Sequence, residues 1–169
     1  MIWRLKKHLF ETEIELAEPR EKVFEFFSKA ENLDLLTPPW LNFRFITPLP
    51  IEMRAGAIIE YKLRLYGVPV RWKTEITKWQ PPMQFEDTQA RGPFKFWVHR
   101  HSFEEKDGGT LMRDRVEYAV PGWILEPLVH GLFVRRSVER IFEFRRRRLS
   151  EIFTVRGNGR GEPDHAAKN

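Results

Sequence analysis

Apolar and charged positions alternate from His8 to Ala17, with Phe10, Thr12, Ile14 and Leu16 on one side and Leu9, Glu11, Glu13 and Glu15 on the other. A period of two with one mostly apolar side is the pattern of a half-buried strand. Pro19 then opens a short helix, because a first helical turn tolerates a missing N–H; its apolar stripe is Val23, Phe24, Phe26 and Phe27. Asn32 is placed to cap a second short helix through Leu36, ended by Pro38-Pro39. Six more extended runs are expected, over 40–47, 57–66, 70–79, 83–90, 94–105 and 110–120. They are separated by Pro48-Leu49-Pro50, Gly67-Val68-Pro69, Pro81-Pro82, Arg91-Gly92-Pro93 and Asp107-Gly108-Gly109, all strong turn signals.

Near Trp123 the period changes from two to about 3.6. Leu125, Leu128, Val129, Leu132, Phe133, Val138, Ile141, Phe142, Leu149, Ile152 and Phe153 can share one broad stripe. A single helix to about residue 153 would be ~45 Å long, with a bend or close contact expected at Gly131. Small and polar residues follow.

This order implies an α+β fold: a curved antiparallel sheet of six to seven strands, two short helices and a long C-terminal helix. Only that helix is large enough to cover the sheet. If the sheet curves strongly, the helix leaves part of the concavity unfilled, so an internal cavity is expected. Residues 1–155 are expected to form one domain and 156–169 a flexible tail, with no internal repeat and no second domain.

Composition narrows the function classes. At 169 residues and 41% hydrophobic, the chain can fill one core but not comfortably two. Its 14 phenylalanines and 6 tryptophans supply large buried area and suit a pocket wall. No run approaches the length of a membrane span, and the N-terminus lacks the apolar core of a signal peptide. With no cysteine, disulfides and thiol chemistry are excluded, and a cytoplasmic location is expected. The net charge of +5 is concentrated in Arg135-Arg136 and Arg145-Arg146-Arg147-Arg148, within the amphipathic helix. That placement favours a solvated helix face over a nucleic-acid stripe.

The chemistry of interest lies on the last strands. Lys95, Trp97, His99, His101 and Phe103 share a face, as do Met112, Asp114, Val116 and Tyr118 on the next strand and Phe85, Asp87 and Gln89 on the preceding one. The charge-rich opposite set of Leu111, Arg113, Arg115 and Glu117 belongs to water, so Asp114 points inward. Asp87, Gln89, His99, His101 and Asp114 thus stand among aromatics, where they need partners, water or ligand. A satisfied structural network, a polar patch in a ligand pocket and acid/base catalysis all fit. For catalysis the candidates are His99 or His101 as base with Asp87 or Asp114 beside it. Two histidines at i and i+2 with a carboxylate also suggest zinc, but such side chains start ~7 Å apart on a regular strand. No metal and no cofactor are therefore expected. Phosphate-loop, zinc-protease and nucleophile-elbow motifs are absent, and Ser102 faces away from both histidines.

Asn32-Leu33, Leu36-Thr37-Pro38-Pro39, Gly56, Tyr61, Trp72, Ile76 and Pro81-Pro82 resemble the START-like superfamily with the birch-pollen-allergen helix-grip fold. Its bacterial branch of polyketide cyclase/dehydrase and lipid-transport proteins (SRPBCC) is the nearest likeness. The sharpest stretch is Phe85-x-Asp87-x-Gln89, Gly92-Pro93-Phe94, Trp97-x-His99-x-His101-x-Phe103 and Gly109-Thr110-x-Met112-x-Asp114-x-Val116-x-Tyr118. The pattern is also similar to a domain fused to sugar-nucleotide-epimerase-like proteins. The resemblance, over about residues 8–150, implies the fold and a ligand cavity; it carries over no catalytic residues.

The reading put first is binding of a small hydrophobic or aromatic molecule in the cavity. Tyr61, Trp72, Phe85, Gln89, Trp97 and Tyr118 are expected on the sheet wall, and Leu125, Val129 and Phe133 on the helix. A cyclase-, dehydratase- or hydrolase-like enzyme is the alternative. A surface-mediated or stress-related interaction module is the third.

Overall fold

The computed structural model describes residues 6–121 and 133–155. Seven antiparallel strands form one curved sheet: β1 (His8–Leu16), β2 (Arg44–Phe45), β3 (Ile58–Leu65), β4 (Val68–Gln80), β5 (Gln84–Arg91), β6 (Phe96–Lys106) and β7 (Gly109–Ala119). Their order across the sheet is β1-β7-β6-β5-β4-β3-β2. Helices α1 (Arg20–Phe27) and α2 (Asn32–Leu35) follow β1, and the long helix α3 (Arg135–Ile152) follows β7. This is the helix-grip arrangement. No helix among the described residues is long and apolar enough to cross a membrane.

The hairpin turns follow from residue chemistry. Tyr66-Gly67 and Asp107-Gly108 all have positive φ, as tight two-residue turns between twisted strands require. At Gly109 a Cβ would stand 2.3 Å from the Leu16 carbonyl oxygen, so only glycine lets β7 run this close to the end of β1. Two register shifts in the β4–β5 pairing, at Lys73/Thr74 and Ile76/Lys78, bend that part of the sheet.

Three expectations change. The run 40–47 is not one strand: Pro39–Leu41 forms a single 3-10 turn, Asn42 takes a left-handed conformation, and only Arg44–Phe45 pairs with β3. Asn32 does not cap α2; its Nδ2 donates to the Phe26 carbonyl at 2.7 Å, serving the free end of α1 instead. Arg145, read as part of a solvated basic face, is buried. It occupies the stripe of Val138, Phe142 and Leu149, while its neighbours Arg146 and Arg147 are exposed. The expected helix start near Trp123, Gly131, and the tail 156–169 lie outside the described residues.

The helix is held against the sheet at both described ends. Past its C-terminus, the Ala17 N–H donates to the Thr154 carbonyl at 2.8 Å, and Leu16 bridges Val155. At the other end the Tyr66 hydroxyl, on the β3–β4 turn, donates to the Phe133 carbonyl at 2.6 Å. Between these clamps, Leu16, Val23, Phe24, Phe27, Phe103, Met112 and Leu149 pack solidly at one end. Beside this packed end a cavity opens between the sheet and the helices.

Candidate polar-floored cavity

The cavity is about 240 Å³ and lies between the concave face of the sheet, α2 and α3. Aromatic rings make much of its wall. Tyr61 stacks on Trp72 at 6.1 Å, and the Trp72 ring meets Trp97 edge-on at 5.3 Å. Leu63, Ile76 and Phe85 continue the wall from the sheet, and Val138, Ile141 and Phe142 face them from α3. Trp72 brings one polar atom: its indole N–H is buried and has no acceptor among the described residues. A buried donor left without an acceptor costs about 1–3 kcal/mol, so an acceptor supplied from the cavity would be favoured.

Its polar floor is built from three neighbouring strands and one helix. Register places Asp87 opposite His99 and Asp114 opposite His101. Both imidazoles lean inward until their ring centroids are 3.8 Å apart, and each then reaches both carboxylates. His99 Nε2 and His101 Nδ1 each lie 2.8 Å from Asp114 Oδ1. On the other edges, His101 Nε2 is 3.3 Å and His99 Nδ1 3.6 Å from Asp87 Oδ2. Thr74 Oγ1 donates to Asp87 Oδ1 at 3.4 Å. Arg145 completes the group from α3, its Nε 3.3 Å from Asp114 Oδ2 and its Nη2 3.2 Å from His101 Nδ1. The first is a charge contact, because Nε lacks a well-aligned hydrogen bond. The guanidinium also lies 5.1 Å from the Phe27 ring, and Phe85 stacks on His101 at 4.2 Å.

Electrostatics sort these groups. Burial raises the Asp114 carboxyl, but the Arg145 charge and the two imidazoles outweigh it and hold the group well below the usual carboxylate range. Asp87 is also lowered, the His101 and His99 contacts overcoming its burial. His99 moves below its ordinary value through burial and the neighbouring His101, against the pull of both carboxylates. Burial and the Asp87 charge push the Tyr61 phenol well above its ordinary value, which keeps it a neutral donor.

Of the residues singled out by sequence, Tyr61, Trp72, Phe85, Trp97, Asp87, His99 and His101 line the cavity. Asp114 lies one layer behind, joining both histidines to Arg145. Three others do not reach the wall. Gln89 shares the face of Asp87 but spends its amide on Phe94, donating from Nε2 to the carbonyl at 2.8 Å and accepting the N–H on Oε1 at 3.3 Å. Gly92 leaves room for this clamp, since a Cβ there would meet Gln89 Oε1 at 2.3 Å. Tyr118 is buried behind Phe94 and Trp97. Phe133 is half exposed, with its ring edge-on to Tyr66 at 6.0 Å. Leu125 and Val129 lie outside the described residues.

The distance objection to a metal fails as well. It measured the strand backbone, whereas the imidazoles converge at their tips, so that donor atoms of Asp87, His99 and His101 all lie within 4.8 Å of one another. Arg145 was missed altogether. Its signal was a lone charge at the 138-142-145-149 spacing of an otherwise apolar stripe.

Residues 16–144 match the family described as polyketide cyclase / dehydrase and lipid transport. No curated protein matches the chain. Among solved structures, TTHA0849 from Thermus thermophilus is 19% identical with a TM-score of 0.64, over 85% of this chain and 95% of that one. The major latex-like protein 151 of Panax ginseng is 12% identical with a TM-score of 0.64, over 88% and 98%. A nucleoside-diphosphate sugar epimerase from Corynebacterium glutamicum is 25% identical with a TM-score of 0.60; the similarity covers 84% of this chain and 28% of the epimerase.

Proposed function

Because the chain belongs to the polyketide cyclase / dehydrase and lipid transport family, we propose that it binds a small aromatic or apolar molecule in this cavity. The observation that carries the reading is the combination of an aromatic wall with few polar groups, chiefly the orphaned Trp72 N–H and the Asp87–His99–His101 floor. Ligand sites are typically apolar with a small number of placed polar groups, and occupy ~300–1,000 Å³. At about 240 Å³ the space suits one or two fused rings, or a short acyl chain, better than a long-chain lipid. A hydroxyl or carbonyl on that body would meet the floor or the indole N–H.

Native mass spectrometry of freshly purified protein tests this. A bound small molecule of constant mass, released by organic solvent, is the expected result. Protein that emerges at its bare mass and takes up neither 2-naphthol nor short-chain alcohols contradicts the reading.

Acid/base catalysis on the bound molecule is a second reading, favoured by one observation. His99 lies on the cavity wall with its far nitrogen on the Asp114 carboxylate, an arrangement that leaves the near nitrogen to accept a proton. It predicts conversion of the recovered ligand with a sigmoid pH dependence, abolished in His99→Gln. Turnover unaltered by that change contradicts it.

A further inference from the structure

We infer that Asp87, His99 and His101 form a binding site for a divalent transition-metal ion of the zinc type. The starting point is an imbalance in the floor of the cavity. Asp114 Oδ1 sits 2.8 Å from one nitrogen of each imidazole, hydrogen-bonded to His99 Nε2 and in a charge contact with His101 Nδ1. Arg145 Nη2, which can only donate, hydrogen-bonds His101 Nδ1 at 3.2 Å, so without an ion that nitrogen accepts and His101 Nε2 donates to Asp87 Oδ2 at 3.3 Å. In neutral His99 the remaining nitrogen, Nδ1, then carries a lone pair, and a metal ion would take the place of the proton on His101 Nε2. Both nitrogens face the same Asp87 oxygen, at 3.6 and 3.3 Å. A divalent cation between them would be reached by all three residues, whose ligand atoms lie within 4.8 Å of one another.

The charges agree. Asp87 and Asp114 bring two negative charges and Arg145 one positive, so the group with neutral imidazoles is short of one positive charge. A proton on an imidazole is one way to supply it. A metal ion between the three ligand atoms is another.

Geometry then favours the metal. Ligands of tetrahedral zinc at ~2.0–2.2 Å stand roughly 3.3–3.5 Å apart, close to the distances from Asp87 Oδ2 to the two nitrogens. Metal-bound histidines characteristically donate their other N–H to a carboxylate, as His99 Nε2 does to Asp114 Oδ1, which also lies 2.8 Å from His101 Nδ1. Arg145 in turn holds Asp114 from the side of α3. Mixed imidazole and carboxylate donors select zinc, iron(II) or cobalt(II) over magnesium or calcium. Since all three ligands line the cavity, the open position of such an ion faces the space where an oxygen of a bound molecule would lie. The inference does not depend on what that molecule is, and it assigns the His99 Nδ1 lone pair to the metal instead of to acid/base catalysis.

The test uses the full-length chain without an affinity tag, treated with chelator and then titrated with Zn²⁺ or Co²⁺ alone. One ion per chain and a visible Co²⁺ spectrum of a site with few, nitrogen- and oxygen-type ligands are expected. Asp87→Asn, which keeps the shape of the side chain, weakens binding at least ~10-fold, and Asp114→Asn by roughly 10–100-fold through loss of orientation. His8→Ala leaves it unchanged. Folded wild-type protein that binds neither ion, or binding that survives Asp87→Asn undiminished, overturns the inference. The wild-type titration decides even if a variant does not fold, and it is read separately from any small-molecule binding.

Discussion

Arg145 Nε lies 3.3 Å from Asp114 Oδ2 with both side chains buried, so a charge on the long helix is joined to a charge on the strand beneath it. Isolated buried charges are costly, and each of these exists in the interior because of the other. Removing the guanidinium leaves Asp114 buried with only imidazoles to answer it. Arg145→Met should therefore destabilise the protein by ~3–5 kcal/mol, whereas Arg146→Met on the exposed face should stay within ~0.5 kcal/mol. Urea unfolding of the three proteins measures this. Equal midpoints for the two variants would mean that the buried pair does not hold the helix.

Surface ion pairs set the contrast. Arg113 faces both Glu13 and Glu104, yet its side chain is 42% exposed. Arg113→Ala should cost no more than ~1 kcal/mol in the same unfolding assay, despite the loss of two partners. A cost as large as that of Arg145→Met would show that exposed pairs stabilise this sheet far more than solvent screening allows.

Acid should weaken the metal-free protein in two stages. His99 has a folded value below its ordinary 6.5, so the unfolded chain takes up this proton first. Stability present above that pH is then lost as pH falls through 6.5 toward the folded value. The lowered carboxylates add a second loss at lower pH, as the unfolded chain begins to protonate near 3.8. Unfolding free energies of chelator-treated protein should decline already between about pH 7.5 and 5.5. His99→Gln should flatten that upper segment only. A flat wild-type profile there contradicts a buried, neutral His99.

Much of this architecture is legible in the sequence, and the exceptions share a cause. Period-two alternation locates β1 and β7, and Asp107-Gly108 locates their neighbour's turn, because those signals act over a few residues. The two-residue β2 has too little length for a period, and Asn42 breaks the run by its backbone conformation. Face assignment brings Asp87, His99, His101 and Asp114 to one side, but parity does not say how far a side chain reaches. Gln89 and Tyr118 share those faces, yet one is clamped by Phe94 and the other covered by Phe94 and Trp97. Arg145 is hidden by its neighbours, since a run of four arginines looks like solvent-facing charge although one of them sits at a core position.

Filling the cavity should remove binding without removing the fold. Leu63 lines the wall from β3, and Leu63→Trp adds volume where there is space to receive it. The change should alter stability by no more than ~1–3 kcal/mol, while uptake of 2-naphthol falls at least ~10-fold. Fluorescence titration and thermal unfolding check the two halves. Full uptake by the folded variant would place the binding site elsewhere.

The most direct test of the cavity is to follow the indole N–H signals of ¹⁵N-labelled protein by NMR during titration with 2-naphthol. Trp72 and Trp97 line the cavity, whereas Trp40 is exposed against Phe144. Saturable shifts of Trp72 and Trp97, with Trp40 unmoved, are the predicted result. Shifts confined to Trp40, or none up to the solubility limit of the probe, would contradict binding between sheet and helix.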